Sequence, residues 1–215
     1  VQDELNHHVG PLGLLFGPDT STSNRATLGG MMGNNSGGSH SIAYGLTIEH
    51  VIEMTALLAD GTRVVFKEVS SPEFDAKCRL SGLEGQIYRE AAAIREAYAD
   101  EIDARYPAHW RRVSGYNLNE LIKPGPLNMA RLVVGSEGTL VTILEAKVRL
   151  CPRPKKTAVD IIHSRDVQAA LESNPDTSSP LQFTEVAPPS FTAERWGGGE
   201  VEAVAATPTS LITAG

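Results

Sequence analysis

Residues 26–45, ATLGGMMGNNSGGSHSIAYG, concentrate the residue types that a ligand site needs. Six of the seventeen residues from Gly29 to Gly45 are glycine, and Thr27, Asn34, Asn35 and Ser36 add short polar groups. Glycine lets a backbone approach a ligand closely, and successive free N–H groups can form an anion-binding nest. The chemistry in reach is therefore the holding of a phosphate or a similar anion. The residues alone leave two readings open: a phosphate cradle, or a series of tight turns with no ligand. A disordered Gly/Ser linker fits less well, because Leu28, Met31, Met32, Ile42 and Tyr44 interleave apolar anchors.

The familiar nucleotide motifs do not fit this stretch. No register gives GxGxxG, and the P-loop spacing from Gly33 to Gly38 is followed by Ser39-His40 where Lys-Ser/Thr is required. The other reactive side chains are scattered. His7 and His8 are adjacent rather than four apart, which suits a solvated helix end better than a shared metal. His40 reads as an exposed or turn-bonding histidine, and His50, His109 and His163 stand alone. Cys78 and Cys151 form neither a CxxC pair nor a zinc pattern and have no activating neighbours in sequence. Asn34-x-Ser36 matches a glycosylation sequon in a chain with no secretory signal pattern. No metal site is expected.

Three patterned segments must position the glycine-rich stretch. From Val51 the chain alternates, with Ile52, Met54, Ala56 and Leu58 on one face, and Asp60-Gly61 then provides a two-residue turn into a strand over 62–66. Leu83, Ile87, Ala91, Ile94, Tyr98 and Ile102 recur at three and four, which predicts an amphipathic helix. Ser81 and Glu84 have capping-box spacing, and Pro107 closes its far end. Leu144, Ala146, Val148 and Leu150 alternate against Glu145, Lys147 and Arg149, predicting a strand with one wet face that ends at Pro152 and Pro154. Beyond about residue 172 the chain is rich in Pro, Ser, Thr, Gly and Ala and reads as an irregular tail.

Bulk composition narrows the function classes. The 215 residues are 41% hydrophobic and carry a net charge of −7, so a sizeable core is available and a general nucleic-acid binder is disfavoured. No window approaches the length of apolar sequence that a membrane helix needs. A reducing compartment is the default, and a cytoplasmic or membrane-peripheral location is expected.

At this point the residues carry a resemblance. FGPDTSTSNRATLGGMMGNNSGGSHSIAYG, followed by a strand and LLADG, is similar to the FAD-linked oxidase domain (PCMH type) of the vanillyl-alcohol-oxidase and p-cresol-methylhydroxylase superfamily. Those domains have a Pro-Asp element, an A-T-x-G-G turn, an Asn-rich G-G segment and then Y-G. The later GSEGTLVTILEAKVRL resembles their second signature, although Val141 stands where the family has glycine. Within the superfamily the wording resembles the D-lactate, glycolate and D-2-hydroxyglutarate dehydrogenases. GNNSGGSHSIAYG and GYNLNELI are similar to large bacterial members fused to iron–sulfur modules.

The resemblance implies an α+β fold: the second half of a PCMH-type FAD-binding domain with a mixed or antiparallel sheet and flanking helices, plus the start of a cap domain. Its implied boundaries are 1–154 for the partial FAD-binding domain, with a helical insertion at 78–125, then 155–172 for the cap opening and 173–215 for the tail. FAD is the implied cofactor. Pro18, Asp19 and Thr20 would line its flavin side, while Thr27, Gly29 and Gly30 would stand close to flavin and pyrophosphate. Asn34, Asn35, Ser36 and Gly37 would continue the cradle, closed by Tyr44 and Gly45. Glu137, Gly138, Leu140 and Ile143 would reach the ribityl and adenine part.

The implied reaction is oxidation of a D-2-hydroxy acid by hydride transfer to flavin N5, with an iron–sulfur module or another electron-transfer partner. The family's P-R-G-G-G-T-S-type loop has no counterpart in residues 1–215, and the pattern of its cap stops early. The expectation is therefore a fragment, inactive by itself and weak in FAD binding, with no nameable catalytic acid or base. The alternatives are a non-catalytic remnant or binding module, or a sugar-lactone or alkyl-glycerone-phosphate enzyme of the same superfamily.

Overall fold

The computed structural model describes residues 1–112, 114–155, 157–159, 166 and 211–213. Two compact units divide the chain, Val1–Pro152 and Arg153–Gly215. In the second unit the described elements are two short strands, Thr157–Val159 and Leu211–Thr213, paired in parallel. Most of the expected cap opening and tail lies outside the described residues.

The first unit is α+β, built on an antiparallel sheet. Strands β2 (Val51–Leu57) and β3 (Arg63–Val69) form the expected hairpin. Strand β4 (Leu127–Asn128) adds to β3 and β5 (Thr142–Val148) adds to β2, so the order is β4-β3-β2-β5. A separate pair joins β1 (Leu14–Leu15) to β6 (Cys151–Pro152).

The turn between β2 and β3 corrects the sequence reading. Leu58 N–H donates to Thr62 O at 2.9 Å and Gly61 N–H to Leu58 O at 3.0 Å, which leaves Ala59, Asp60 and Gly61 as a three-residue loop. Gly61 sits at φ +83, the left-handed position that this loop length requires. Asp60 Oδ1 accepts the Thr62 N–H at 2.9 Å and braces the turn.

The alternation on β2 is also interrupted. A register shift between Val51 and Glu53 buries Val51 and leaves Ile52 40% exposed. A second shift, between Thr55 and Ala56, leaves Leu144 out of the ladder and 47% exposed. A bulge adds one residue to one strand and reverses the faces beyond it. That is why Leu144, predicted to face the core, is exposed; Ala146, predicted to do the same, is exposed as well although it pairs with the buried Met54.

Helix α6 (Gly82–Arg105) follows α5 (Ser71–Cys78) and packs in the core with Met54, Ala56, Val64 and Phe66 of the sheet. Its anchor is Tyr88, fully buried against Phe66 and Phe74 at ring distances of 6.4 and 5.5 Å. Tyr98, placed on the apolar stripe by spacing, is instead mostly exposed. The Ser81–Glu84 capping box does not form, because Glu84 pairs with Lys77 at 2.5 Å. The box forms one helix earlier, where Glu73 Oε2 accepts from the Ser70 N–H at 2.8 Å and hydroxyl at 2.7 Å.

Candidate functional site

The stretch 26–45 folds into short helices rather than open turns. Thr27 is extended and its Oγ1 accepts the Gly30 N–H at 3.2 Å, which caps α2 (Leu28–Gly33). Met31 and Met32 point inward and are buried, while Gly29 and Gly33, four apart, share another face. Glycine inside a helix costs about 0.5–1 kcal/mol relative to alanine. Apart from the adjacent residues and the helix's own backbone, no described atom lies within 4 Å of where a Cβ on either of these glycines would stand. The helix gives up stability to keep that face bare.

A helix leaves its last carbonyls without internal partners. In α2, Gly30 O receives the Asn34 N–H at 3.1 Å and Met31 O the Ser36 N–H at 2.9 Å. The other two are satisfied from the second glycine turn: Gly135 N–H donates to Met32 O and Glu137 N–H to Gly33 O, both at 2.9 Å. The two sequence signatures are therefore one structural unit. The second turn follows α8 (Met129–Val133) and holds Gly135, Glu137 and Gly138 at φ +84, +52 and +73. Thr139 Oγ1 donates to Ser136 O at 2.6 Å, Leu140 is exposed, and Ile143 packs against the core beside Val141.

The Pro18–Thr20 segment is clamped by a residue the sequence did not single out. Gln2 of α1 (Gln2–Val9) is buried; its Nε2 donates to Pro18 O, and its Oε1 accepts the Thr20 hydroxyl at 2.8 Å. Asp19 Oδ2 bonds His40 Nδ1 and accepts the Ser39 hydroxyl at 3.3 Å. These side chains meet because Gly38 lies flat on the Asp19 peptide, where a Cβ would fall 1.1 Å from Asp19 O.

Asn35 adopts φ +52 and is buried. Its Oδ1 accepts the Ile48 N–H at 3.0 Å and its Nδ2 donates to Arg112 O at 3.3 Å. Its amide is thus committed within the protein, whereas Asn34, exposed, accepts the Ser36 hydroxyl. Tyr44 ends α3 (Ser41–Tyr44), and Gly45 follows at φ +87. His50, uninformative in sequence, is a buried junction: Nε2 lies 2.7 Å from Tyr44 O and Nδ1 3.0 Å from Arg149 O, with the ring edge-on to Phe16. Burial raises the Tyr44 phenol, with a smaller push from Cys151. Burial likewise raises the Cys151 thiol, against a smaller opposing pull from Arg149, so little thiolate forms at neutral pH.

Residues 1–67 match the family model described as FAD binding domain. The chain is 35% identical over 176 residues to a D-2-hydroxyglutarate dehydrogenase of Pseudomonas putida, covering 81% of this chain and 18% of that protein. It is 29% identical to glycolate oxidase subunit GlcD of Bacillus subtilis, covering 75% of this chain and 24% of that subunit. It is 28% identical to the mitochondrial D-lactate dehydrogenase [cytochrome] 1 of Saccharomyces cerevisiae, covering 80% of this chain and 21% of that enzyme. The chain thus spans less than a quarter of the length of these curated relatives.

The surface around α2 and the turn docked on it exposes backbone at several glycines. Gly29, Gly33 and Gly138 leave open space at their α-carbons, so a ligand can lie directly on backbone. The Gly37 and Gly138 N–H groups donate to no described residue and remain available to an anion. Among the described residues no group of three or more His, Cys, Asp or Glu side chains could hold a metal, and no helix is long and apolar enough to cross a membrane. A groove of about 420 Å³ between α5 and α6, lined by Phe74, Asp75, Arg95 and Leu127, contains none of the signature residues. Sequence reasoning missed Gln2, His50 and Asn117. Asn117 is buried, and its Nδ2 donates to Val134 O at 2.6 Å just before the second turn. Each acts on a backbone carbonyl distant in sequence, which no local pattern marks.

Proposed function

We propose that this chain contributes one wall of the FAD site in a dehydrogenase of D-2-hydroxy acids. The observation that carries the reading is the joining of the two glycine signatures through α2, beside a helix face left bare of side chains. Support for the substrate class comes from the relatives, which include D-2-hydroxyglutarate dehydrogenases at 35%, 33% and 34% identity. Bound FAD supplies a hydride acceptor at N5, for a hydride leaving the substrate α-carbon. This chain's own part is to bind and orient. Pro18–Thr20 line the flavin side, Thr27, Gly29 and Gly30 stand close to flavin and pyrophosphate, Asn34–Gly37 continue that cradle with Tyr44 and Gly45 closing it, and Glu137, Gly138, Leu140 and Ile143 take the ribityl and adenine side.

The test is anaerobic addition of D-2-hydroxyglutarate, D-lactate or glycolate to the protein that carries this chain, following the visible flavin band. Bleaching by one of them is expected. A flavin band that none of them bleaches would overturn the substrate class, and a protein without flavin would overturn the cofactor.

A single substitution separates ligand space from protein packing. Gly29→Ala fills a position with no protein atom within 4 Å, so the melting temperature should hold or rise slightly. FAD affinity should fall about tenfold, measured by flavin fluorescence titration. An unchanged affinity would remove Gly29 from the cofactor face.

A further inference from the structure

Arg112 and the segment 114–118 are stitched to both signatures by groups that neither signature contains. Arg112 O accepts from Asn35 Nδ2 at 3.3 Å in the first. Asn117 Nδ2 donates to Val134 O at 2.6 Å immediately before the second, and Gly115 O lies 4.0 Å from where a Gly135 Cβ would stand. Tyr116 is pinned at both ends. Its carbonyl accepts from the Tyr106 hydroxyl and from the Leu118 N–H at 2.9 Å, and its own hydroxyl bonds Thr139 Oγ1 at 2.8 Å.

With both ends fixed, the ring is still 43% exposed. Tyr98 and Trp110 are also exposed, but neither has a polar tip bonded into a signature turn. An aromatic ring held by its hydroxyl has already lost most of its rotamer freedom. It presents a rigid face at little further entropic cost, as binding surfaces require. The residue that holds it, Thr139, directly follows Gly138, whose α-carbon faces open space.

We infer that Tyr116 is a stacking platform for a planar heteroaromatic ring of the bound dinucleotide, and that Arg112 with residues 114–118 forms a third wall of the site. This rests on the proposed FAD reading and adds a binding residue to it. Stacking of a heterocycle on an aromatic side chain is large enough to read as about a tenfold change in affinity.

The experiment titrates FAD, FMN and ADP into the protein that carries this chain, wild type and variants, by flavin fluorescence and calorimetry. Tyr116→Ala is expected to weaken FAD about tenfold or more. Tyr116→Phe, which keeps the ring but not the Thr139 bond, should stay within about threefold. Tyr116→Leu keeps apolar bulk without a π face and should weaken FAD with no change in melting temperature. A loss confined to ADP places the adenine on Tyr116, and a loss confined to FMN places the isoalloxazine there; either supports the inference. Equal FAD affinity in wild type, Ala and Leu variants overturns it while leaving the cofactor reading intact. Failure of the wild type to bind FAD overturns that reading and the inference with it.

Discussion

Replacing Gly38 with alanine is expected to lower the melting temperature by about 6–12 °C and, in the protein that carries this chain, to abolish the proposed FAD binding together with it. The added methyl would sit 1.1 Å from Asp19 O, 2.4 Å from Asp19 C and 3.2 Å from Thr20 N. All three are backbone atoms, so no side-chain rotation relieves the overlap and the two loops must part. Overpacking costs typically about 1–3 kcal/mol, and a clash this close with fixed peptide atoms belongs at or above that upper end. In a protein of this size each kcal/mol moves the midpoint by about 2–4 °C. Parting the loops also frees Asp19 from Ser39 and His40. Differential scanning calorimetry of the variant, beside Gly29→Ala as a control with no overlap, measures the effect. A midpoint within about 2 °C of wild type would show that the loops do not pack this way.

The second large effect lies at Tyr88. Its truncation to alanine should cost about 3–5 kcal/mol, because it is fully buried and packs with Phe66 and Phe74 between sheet and helices. Tyr88→Phe should behave in the opposite sense. The hydroxyl is buried without a hydrogen-bond partner, so its removal should be neutral or stabilising by about 1 kcal/mol.

The same hydroxyl makes stability fall in alkali. Burial first, then the charges of Glu84 and Cys78, push the phenol from 10.0 up to about 12. Below pH 10 the folded and unfolded phenols are both protonated and the group is neutral in the balance. Between pH 10 and about 12 the unfolded phenol ionises while the folded one stays protonated, so stability is lost progressively as pH rises. The loss amounts to about 2–3 kcal/mol across that window. Urea melts of wild type and Tyr88→Phe at pH 9 and above should therefore diverge, with the phenylalanine variant losing less. Parallel pH profiles would exclude an ionisation at Tyr88 as the cause.

How legible these features were in sequence follows from where their causes lie. The β2–β3 hairpin and the α6 helix could be read directly, because period-two and period-3.6 patterns are written in neighbouring residues. Their details slipped where a partner decided the outcome. Glu84 is drawn to Lys77 instead of its own helix cap, and Leu144 is turned outward by a bulge set in the pairing with β2. The candidate site shows the same division. Its glycines and short polar residues stood out by composition, and the signature turns by resemblance. Their individual tasks did not, since Asn35 answers to Ile48 and Arg112, and His50 to Tyr44 and Arg149. Buried polar groups must find partners, and the partners here come from segments far away in the chain.

The shared end of α2 has a consequence for the order of events in the cell. Among the described residues, Met32 O and Gly33 O receive their hydrogen bonds only from Gly135 and Glu137. As the chain leaves the ribosome, the first glycine signature emerges long before the amides that complete it. Until then its last turn must rely on water. Long-range closure of this kind is slow compared with local helix formation. On the proposed FAD reading, a cofactor arriving early would meet a frayed helix, and its capture would wait for the second turn to be translated and docked. The vulnerable interval for this fold is thus a period of synthesis, and slowing translation between residues 45 and 135 would lengthen it.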